Sequence, residues 1–224
     1  MQRERHQTAL PPLESGVIRL ETDTNDRGPL QALVLEHLFG SEQRVCWVDS
    51  RGTGTTSTLG RLAPSRRLLN RIEIARGFTA YQHHQLVEAA CERVRDGEYG
   101  LLVLPAFDYL YRSDNLRESA ARRLVASLTP KLADLRRETD VPILLTTCSS
   151  EGPATALTSL VDQTFTCEQT RFGPRFVGDD HETLVYHDAG GFQTTLAYWA
   201  RLLEHRYQAS RTPAETEVLA DGAY

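Results

Sequence analysis

Hydrophobic and polar positions along the chain switch between short apolar runs and longer segments with apolar residues at helical spacing. The short runs predict strands at 17–20, 45–49, 71–74, 101–104 and 141–146. The helical spacing predicts helices at 30–39, 80–95 and 116–137. Pro130 lies inside the last helix, where it removes one backbone hydrogen bond and is expected to kink the helix.

After residue 160 the pattern predicts strands near 163–167, 175–177 and 183–187, which form an antiparallel edge, and a closing helix at 192–205. Strands that alternate with helices imply a mostly parallel sheet covered on both faces, so the predicted fold class is three-layer α/β. The length fits one domain. We expect a core at 15–207 between flexible polar tails at 1–14 and 208–224.

The charge balance limits the classes of partner. The chain carries 30 acidic and 25 basic residues, a net charge of −5, and Lys131 is its single lysine. This acid-rich, arginine-for-lysine bias resembles the proteins of salt-adapted archaea or high-GC organisms. An acidic domain does not attract nucleic acid through its overall field, so DNA contact would need a local arginine patch.

The cysteines and the apolar segments indicate the cellular compartment of the protein. Cys46, Cys91, Cys148 and Cys167 are widely spaced, which predicts free thiols rather than a disulfide framework or a zinc site. No apolar stretch reaches the roughly 20 residues that span a bilayer, and the N-terminus lacks a signal peptide's apolar region. The sequence therefore predicts a cytoplasmic protein without a membrane partner.

Candidate chemistry lies where the predicted strands end. Asp49 and Ser50 follow one strand, at the carboxyl edge where α/β proteins form ligand sites. Another strand ends at Pro105, which has no side-chain oxygen. His83 and His84 come early in a helix, so at most one of them faces the core.

Three segments carry a family resemblance: DSRGT at 49–53, IARGFTAYQHHQL at 74–86 and LYRSD at 110–114. Their sequences and order resemble the archaeal RadA/RecA recombinase family, with its D-T-E-G-T, A-R-A-F-x-x-D-H-Q and L-Y-R-x-D motifs. The resemblance covers about Gly16 to Cys148. It implies a RecA-like fold and, in the family, ATP bound between subunits of a filament on DNA.

The resemblance also shows where this chain departs from the family. The phosphate loop corresponds to ETDTNDRG at 21–28, which lacks the loop's glycine spacing, with Arg27 at the lysine and Gly28 at the Ser/Thr. Its three carboxylates would repel phosphate, since two unit charges about 4 Å apart interact by ~4 kcal/mol at an effective dielectric of ~20. Arg27, Gly28, Asp49 and Ser50 are therefore the candidates for a vestigial nucleotide site.

Four further residues, at three motifs, lack the family's hydrolytic chemistry. Arg51 stands at the catalytic glutamate, and a guanidinium cannot act as a base. Pro105 stands at the Walker B aspartate, and Thr147 with Cys148 at the polar switch. We therefore expect no catalytic residue, no metal and no cofactor. The sequence leaves open whether ATP binds without turnover.

Arg112, Arg117, Arg122 and Arg123 form the candidate surface for nucleic acid or a partner; the alternative is a solvated helix face paired with Asp114 and Glu118. A second arginine cluster comprises Arg61, Arg66, Arg67 and Arg71. The segment 149–160, which corresponds to the family's second DNA loop, is short and has no basic residue.

Three functions remain open at this stage. The first is a non-catalytic paralogue that acts as an accessory or regulatory protein in DNA recombination and repair, by binding a recombinase, another repair protein or DNA. The second is a divergent ATP-binding ATPase. The third is a RecA-fold protein recruited to cell-division or signalling control. Because the F-x-x-A polymerisation segment is missing and its nearest counterpart begins at His6, we expect a monomer or small oligomer.

Overall fold

The computed structural model describes residues 10–22, 28–39, 41–55, 57, 59–60, 63, 65–170, 173–178 and 181–182. One sheet of eight strands organises this part of the chain. The strands are β1 (Gly16–Glu21), β2 (Val45–Asp49), β3 (Ile72–Arg76), β4 (Leu101–Leu104), β5 (Pro142–Leu145), β6 (Gln163–Thr170), β7 (Gly173–Gly178) and β8 (His181–Glu182).

The strand order in the sheet is β3-β2-β4-β5-β1-β6-β7-β8. The strands from β3 to β6 pair in parallel, and β6, β7 and β8 pair antiparallel. The predicted α/β class, with a mostly parallel sheet and an antiparallel C-terminal edge, is therefore confirmed.

Helices cover both faces of the sheet. They are α1 (Gly28–Phe39), α2 (Arg66–Leu69), α3 (Ala80–Arg95) and α4 (Glu118–Glu138), with 3₁₀ helices at Leu110–Arg112 and Pro153–Leu160. The helix α4 runs through Pro130. Because side chains alternate along a strand, Cys46 and Val48 of β2 face α3 and α4, while Val45 and Trp47 face α1.

Several boundaries differ from the sequence prediction. The strand β3 begins one residue later and ends two residues later than expected, at Arg76, and α4 begins at Glu118. Leu10 and Leu13, from the expected tail, pack against the core. The predicted strand at 183–187 and the predicted helix at 192–205 lie outside the described residues.

Candidate functional site

The carboxyl ends of β3, β2, β4 and β5 lie side by side in the sheet. The candidate Asp49 ends β2 and the candidate Ser50 follows it, while Arg51 and Pro105, which depart from the family motifs, come after β2 and β4. In open α/β sheets this edge is the usual place for a ligand. The contacts made by these side chains therefore decide what the edge can do.

Asp49 is fully buried, and its own loop surrounds its carboxylate. Oδ1 accepts hydrogen bonds from the amides of Arg51 and Thr53, at 3.3 and 2.9 Å, and from the Thr53 hydroxyl at 2.9 Å. Oδ2 accepts from the amide of Gly54 at 3.3 Å and from Arg76 Nε at 3.0 Å. Both carboxylate oxygens are thus used within the protein.

The electrostatics of Asp49 agree with this structural role. Burial alone raises the pKa of a carboxyl group, but here the hydrogen bonds from Thr53 and the Arg76 guanidinium outweigh burial and hold the Asp49 pKa below its usual value. Arg76 also donates to the carbonyl oxygen of Gly54 at 3.0 Å, which closes the loop on itself. The Asp49 carboxylate is the internal anion that organises residues 51–54.

Ser50 and Pro105 contact each other across the sheet. The buried Ser50 Oγ lies 3.0 Å from the carbonyl oxygen of Pro105 and 2.8 Å from that of Ala106, and it donates to these carbonyls. Ala106 has a φ of 46°, and its amide donates to Thr146 Oγ1 at 2.7 Å. The Ser50 hydroxyl is therefore used in hydrogen bonds to backbone carbonyls at the point where β2 and β4 end.

Arg51 turns towards the segment after β4. Its guanidinium carbon lies 5.4 Å from the centre of the Tyr109 ring, within the range of a cation–π contact. A delocalised cation stacked on an aromatic ring can position a group or bind an anion, but it cannot accept a proton at neutral pH.

Asp108 is a buried carboxylate that sequence reasoning missed. It is fully buried, and its Oδ1 accepts the amide of Cys148 at 2.6 Å, which joins the segments after β4 and β5. Its Oδ2 has no hydrogen-bond partner within the described residues and lies 3.6 Å from Arg112 Nη1. Burial raises the pKa of the Cys148 thiol, and Asp108 raises it further. Both effects disfavour the Cys148 thiolate.

His83 is the histidine that faces the core. Its Nδ1 lies 3.0 Å from the Tyr111 hydroxyl, and its ring makes edge contacts with Phe107 and Tyr111. Burial lowers the pKa of His83 to about 4. His84 instead lies 2.7 Å from Ser127 Oγ on α4. His83 is thus a neutral packing residue that ties α3 to the segment after β4.

Comparison with known protein families now gives an identity to this arrangement. The Rad51 family matches residues 30–164, which is more than half of the chain. The chain belongs to the Rad51 family. Comparison with curated proteins gives no significant match.

The Rad51 match begins just after the segment that corresponds to the phosphate loop. Gly28 is the first residue of α1, and Glu21 is the last residue of β1. Arg27, the predicted lysine equivalent, lies outside the described residues. Of the described candidates, Asp49 and Ser50 stand next to each other at the end of β2, and both side chains are used in internal hydrogen bonds. The start of α1 reaches the loop after β2, where Gln31 Nε2 donates to the carbonyl oxygen of Thr53 at 2.9 Å.

The four candidate surface arginines lie along the segment from the first 3₁₀ helix into α4. Arg112 Nη1 donates to the carbonyl oxygen of Glu151 at 2.8 Å. Arg122 pairs with Glu118 at 2.5 Å, as the solvated-face alternative predicts for that residue. Arg117 precedes α4, and both it and Arg123 are exposed.

The second arginine cluster does not act as one group. Arg71 donates to the carbonyl oxygens of Leu38, Ser41 and Gln43 and so stabilises the chain after α1. Arg66 and Arg67 are exposed on α2, and Arg61 lies outside the described residues.

The segment after β5 is a packed element in this Rad51-family chain. It forms the 3₁₀ helix Pro153–Leu160, whose Leu157 and Leu160 are buried in the core with α4. The three-residue spacing of Leu157 and Leu160 is the sequence feature that could have predicted this packed helix. The segment 149–160 carries no basic residue that could pair with DNA phosphates.

The described residues show no metal cluster and no membrane-spanning helix. They contain no group of three His, Cys, Asp or Glu side chains placed to hold a metal ion. Within the same residues, no helix has the length and apolar character required to cross a membrane.

Proposed function

We propose that this Rad51-family chain is a non-catalytic accessory or regulatory protein of DNA recombination and repair, which acts by binding a recombinase or DNA. The observation that carries the proposal is the internal use of the Asp49 carboxylate by its own loop and Arg76. The other carboxylate next to these strand ends, Asp108, is also fully buried. Magnesium and a catalytic base both need an accessible oxygen, so this edge is poorly suited to ATP hydrolysis.

Three neighbouring features support the same conclusion. The resemblance places Pro105 and Arg51 where the family has acids, and both residues take part in structural contacts across the edge. The Ser50 hydroxyl is directed at backbone carbonyls. In such a scaffold, the polar groups at the ligand edge are used in internal contacts. It is suited to binding a partner rather than to catalysis.

A protein partner is favoured over DNA by the arginine contacts. Arg112 and Arg122 are both engaged within the chain, and the packed segment after β5 has no basic residue. The net charge of −5 opposes attraction to a polyanion. We therefore place docking to a recombinase first and DNA contact second.

The test is recovery of partners from native extract with the full chain as bait, followed by mass spectrometry. We expect a recombinase to be recovered. Recovery of division or signalling proteins without any recombinase would contradict the proposal. In parallel, fluorescence anisotropy with single-stranded DNA, using the wild type and an Arg117→Ala/Arg123→Ala variant, measures the contribution of DNA contact.

A further inference from the structure

The exposed large hydrophobic side chains of the described residues are Phe78, Tyr81 and Tyr109, at 74%, 58% and 44% exposure. All three lie at the carboxyl edge of the sheet. Phe78 comes two residues after β3, Tyr81 lies in the first turn of α3, and Tyr109 lies in the turns after β4. Large exposed aromatic residues that cluster on one surface typically mark a binding site.

Buried contacts hold these aromatic residues on neighbouring segments. The His83 ring lies 5.5 Å from the rings of both Phe107 and Tyr111, which places the first turn of α3 against the segment after β4. Tyr81 is two residues before His83, and Tyr109 lies between Phe107 and Tyr111 in sequence. The two exposed tyrosines therefore project from adjacent packed segments.

Two arginines link the end of β3, two residues before Phe78, to Tyr109. Arg76, at the end of β3, bonds to Asp49, and the loop organised by Asp49 carries Arg51 over the Tyr109 ring. We call the surface formed by Arg51, Arg76, Phe78, Tyr81 and Tyr109 the aromatic edge.

The backbone beneath Phe78 is fixed. Gly77 lies so close to His83 that a Cβ at this position would be 2.9 Å from the His83 backbone. The Gln82 side chain accepts the Phe78 amide at 3.1 Å, and Thr79 Oγ1 accepts the Gln82 amide at 3.2 Å. A residue before the N-cap usually packs on the fourth helical residue, here His83, but Phe78 remains exposed. A fixed backbone at Phe78 reduces the conformational entropy that is lost on binding.

The charges at the aromatic edge have one sign. Residues 49–55, 76–84 and 105–112 contain two acids, Asp49 and Asp108, and both are fully buried. The partly exposed charges in the same segments belong to arginines, although the whole chain has a net charge of −5. The aromatic edge is thus a cationic and aromatic surface on an acidic protein.

We infer that the aromatic edge binds a short acidic segment of a partner protein, in which one or two aromatic or aliphatic side chains pack on Phe78 and Tyr81 while carboxylates pair with the edge arginines. This inference deepens the proposed binding function, and it does not depend on whether the partner is a recombinase. A short segment suits the edge better than nucleic acid. Affinity for a nucleic acid comes from neutralising many phosphates, and the aromatic edge as defined carries two arginines, Arg51 and Arg76.

The test compares labelled synthetic peptides by fluorescence anisotropy on the full chain. One peptide alternates Asp with Phe, a second alternates Lys with Phe, and labelled oligothymidylate is the third probe. We expect the Asp-Phe peptide to bind best. Its affinity should fall about tenfold or more in a Phe78→Ser/Tyr81→Ser variant, as for loss of a hot-spot contact. Added salt should also weaken binding.

Control variants keep the outcome interpretable. Phe78 and Tyr81 are exposed, so the double variant should keep the wild-type melting temperature, and Arg137→Ser on the far end of α4 should leave peptide binding unchanged. No binding of the Asp-Phe peptide, equal binding by the double variant, or a preference for the Lys-Phe peptide would overturn the inference. Oligothymidylate binding that is tighter than peptide binding and lost in the double variant would assign the edge to nucleic acid, and would overturn it as well. Because no recombinase is present, failure here is distinguishable from failure of the proposed function.

Discussion

Arg112 donates a hydrogen bond from Nη1 to the carbonyl oxygen of Glu151, at 2.8 Å, and so joins the segment after β4 to the segment after β5. Asp108 makes a second connection between the same segments through the amide of Cys148. In the Rad51 family, as the resemblance implies, the segment that corresponds to 149–160 contacts DNA. Here it is tied to the segment after β4.

Replacing Arg112 by Ala should loosen this connection. The hydrogen bond is exposed, so we expect a small loss of unfolding free energy, about 0.5 kcal/mol. Amide hydrogen exchange should accelerate over residues 148–160 more than in the strands. Arg123→Ala, on exposed α4 surface, is the control and should leave exchange unchanged. Unchanged exchange at 148–160 in Arg112→Ala would contradict the account.

Gly152 makes room for the Arg112 contact. Its φ is 100°, and a Cβ there would lie 3.0 Å from Arg112 Nη1. Gly152→Ala should cost about 1–3 kcal/mol of unfolding free energy through backbone strain, plus a contact penalty. Gly97 has a φ of 84° with nothing within 4 Å of a Cβ, so Gly97→Ala measures strain alone. Urea unfolding should show the larger loss for Gly152→Ala, and Arg112→Ala should reduce the difference.

Asp49 should behave as a structural anion. Asp49→Asn keeps the side-chain volume, but its amide NH₂ group would face hydrogen-bond donors such as the Thr53 amide or Arg76. The substitution also leaves the Arg76 guanidinium without its carboxylate partner. We expect a loss of about 3 kcal/mol, the lower end for a broken buried pair, because Arg76 is partly exposed. Asp114→Asn, at an exposed position, should change stability little. An equal effect of the two substitutions in urea unfolding would show that the Asp49 network is not structural.

His83 should make stability depend on pH. Its folded pKa is about 4, below the usual 6.5, so between these values the unfolded chain binds more protons than the folded chain. Stability therefore falls as pH drops from 6.5 towards 4, by at most about 3 kcal/mol at 1.36 kcal/mol per pKa unit. His83→Asn keeps a group near Tyr111 but does not titrate. Melting temperatures should fall less steeply over this window in the variant than in the wild type, and parallel curves would contradict the assignment.

The sequence predicted the elements whose signal is local. The apolar runs at 101–104 and 45–49 coincide with β4 and β2, and the helical spacing at 80–95 coincides with α3, whose N-cap is Thr79. The family resemblance then predicted the arrangement of these elements. The buried part of the site was harder to predict, since Asp108 and His83 acquire their roles from residues far away in the sequence. Nothing local distinguishes an exposed acid from one that is fully buried.

We propose that this chain retains the Rad51 scaffold without its hydrolytic chemistry. Steady-state release of phosphate from Mg-ATP by the purified full chain tests it most directly, with Asp49→Asn and Arg27→Ala variants measured beside the wild type. We predict no release above that of heat-denatured protein, with or without single-stranded DNA. Hydrolysis by the wild type that both variants abolish would contradict the claim.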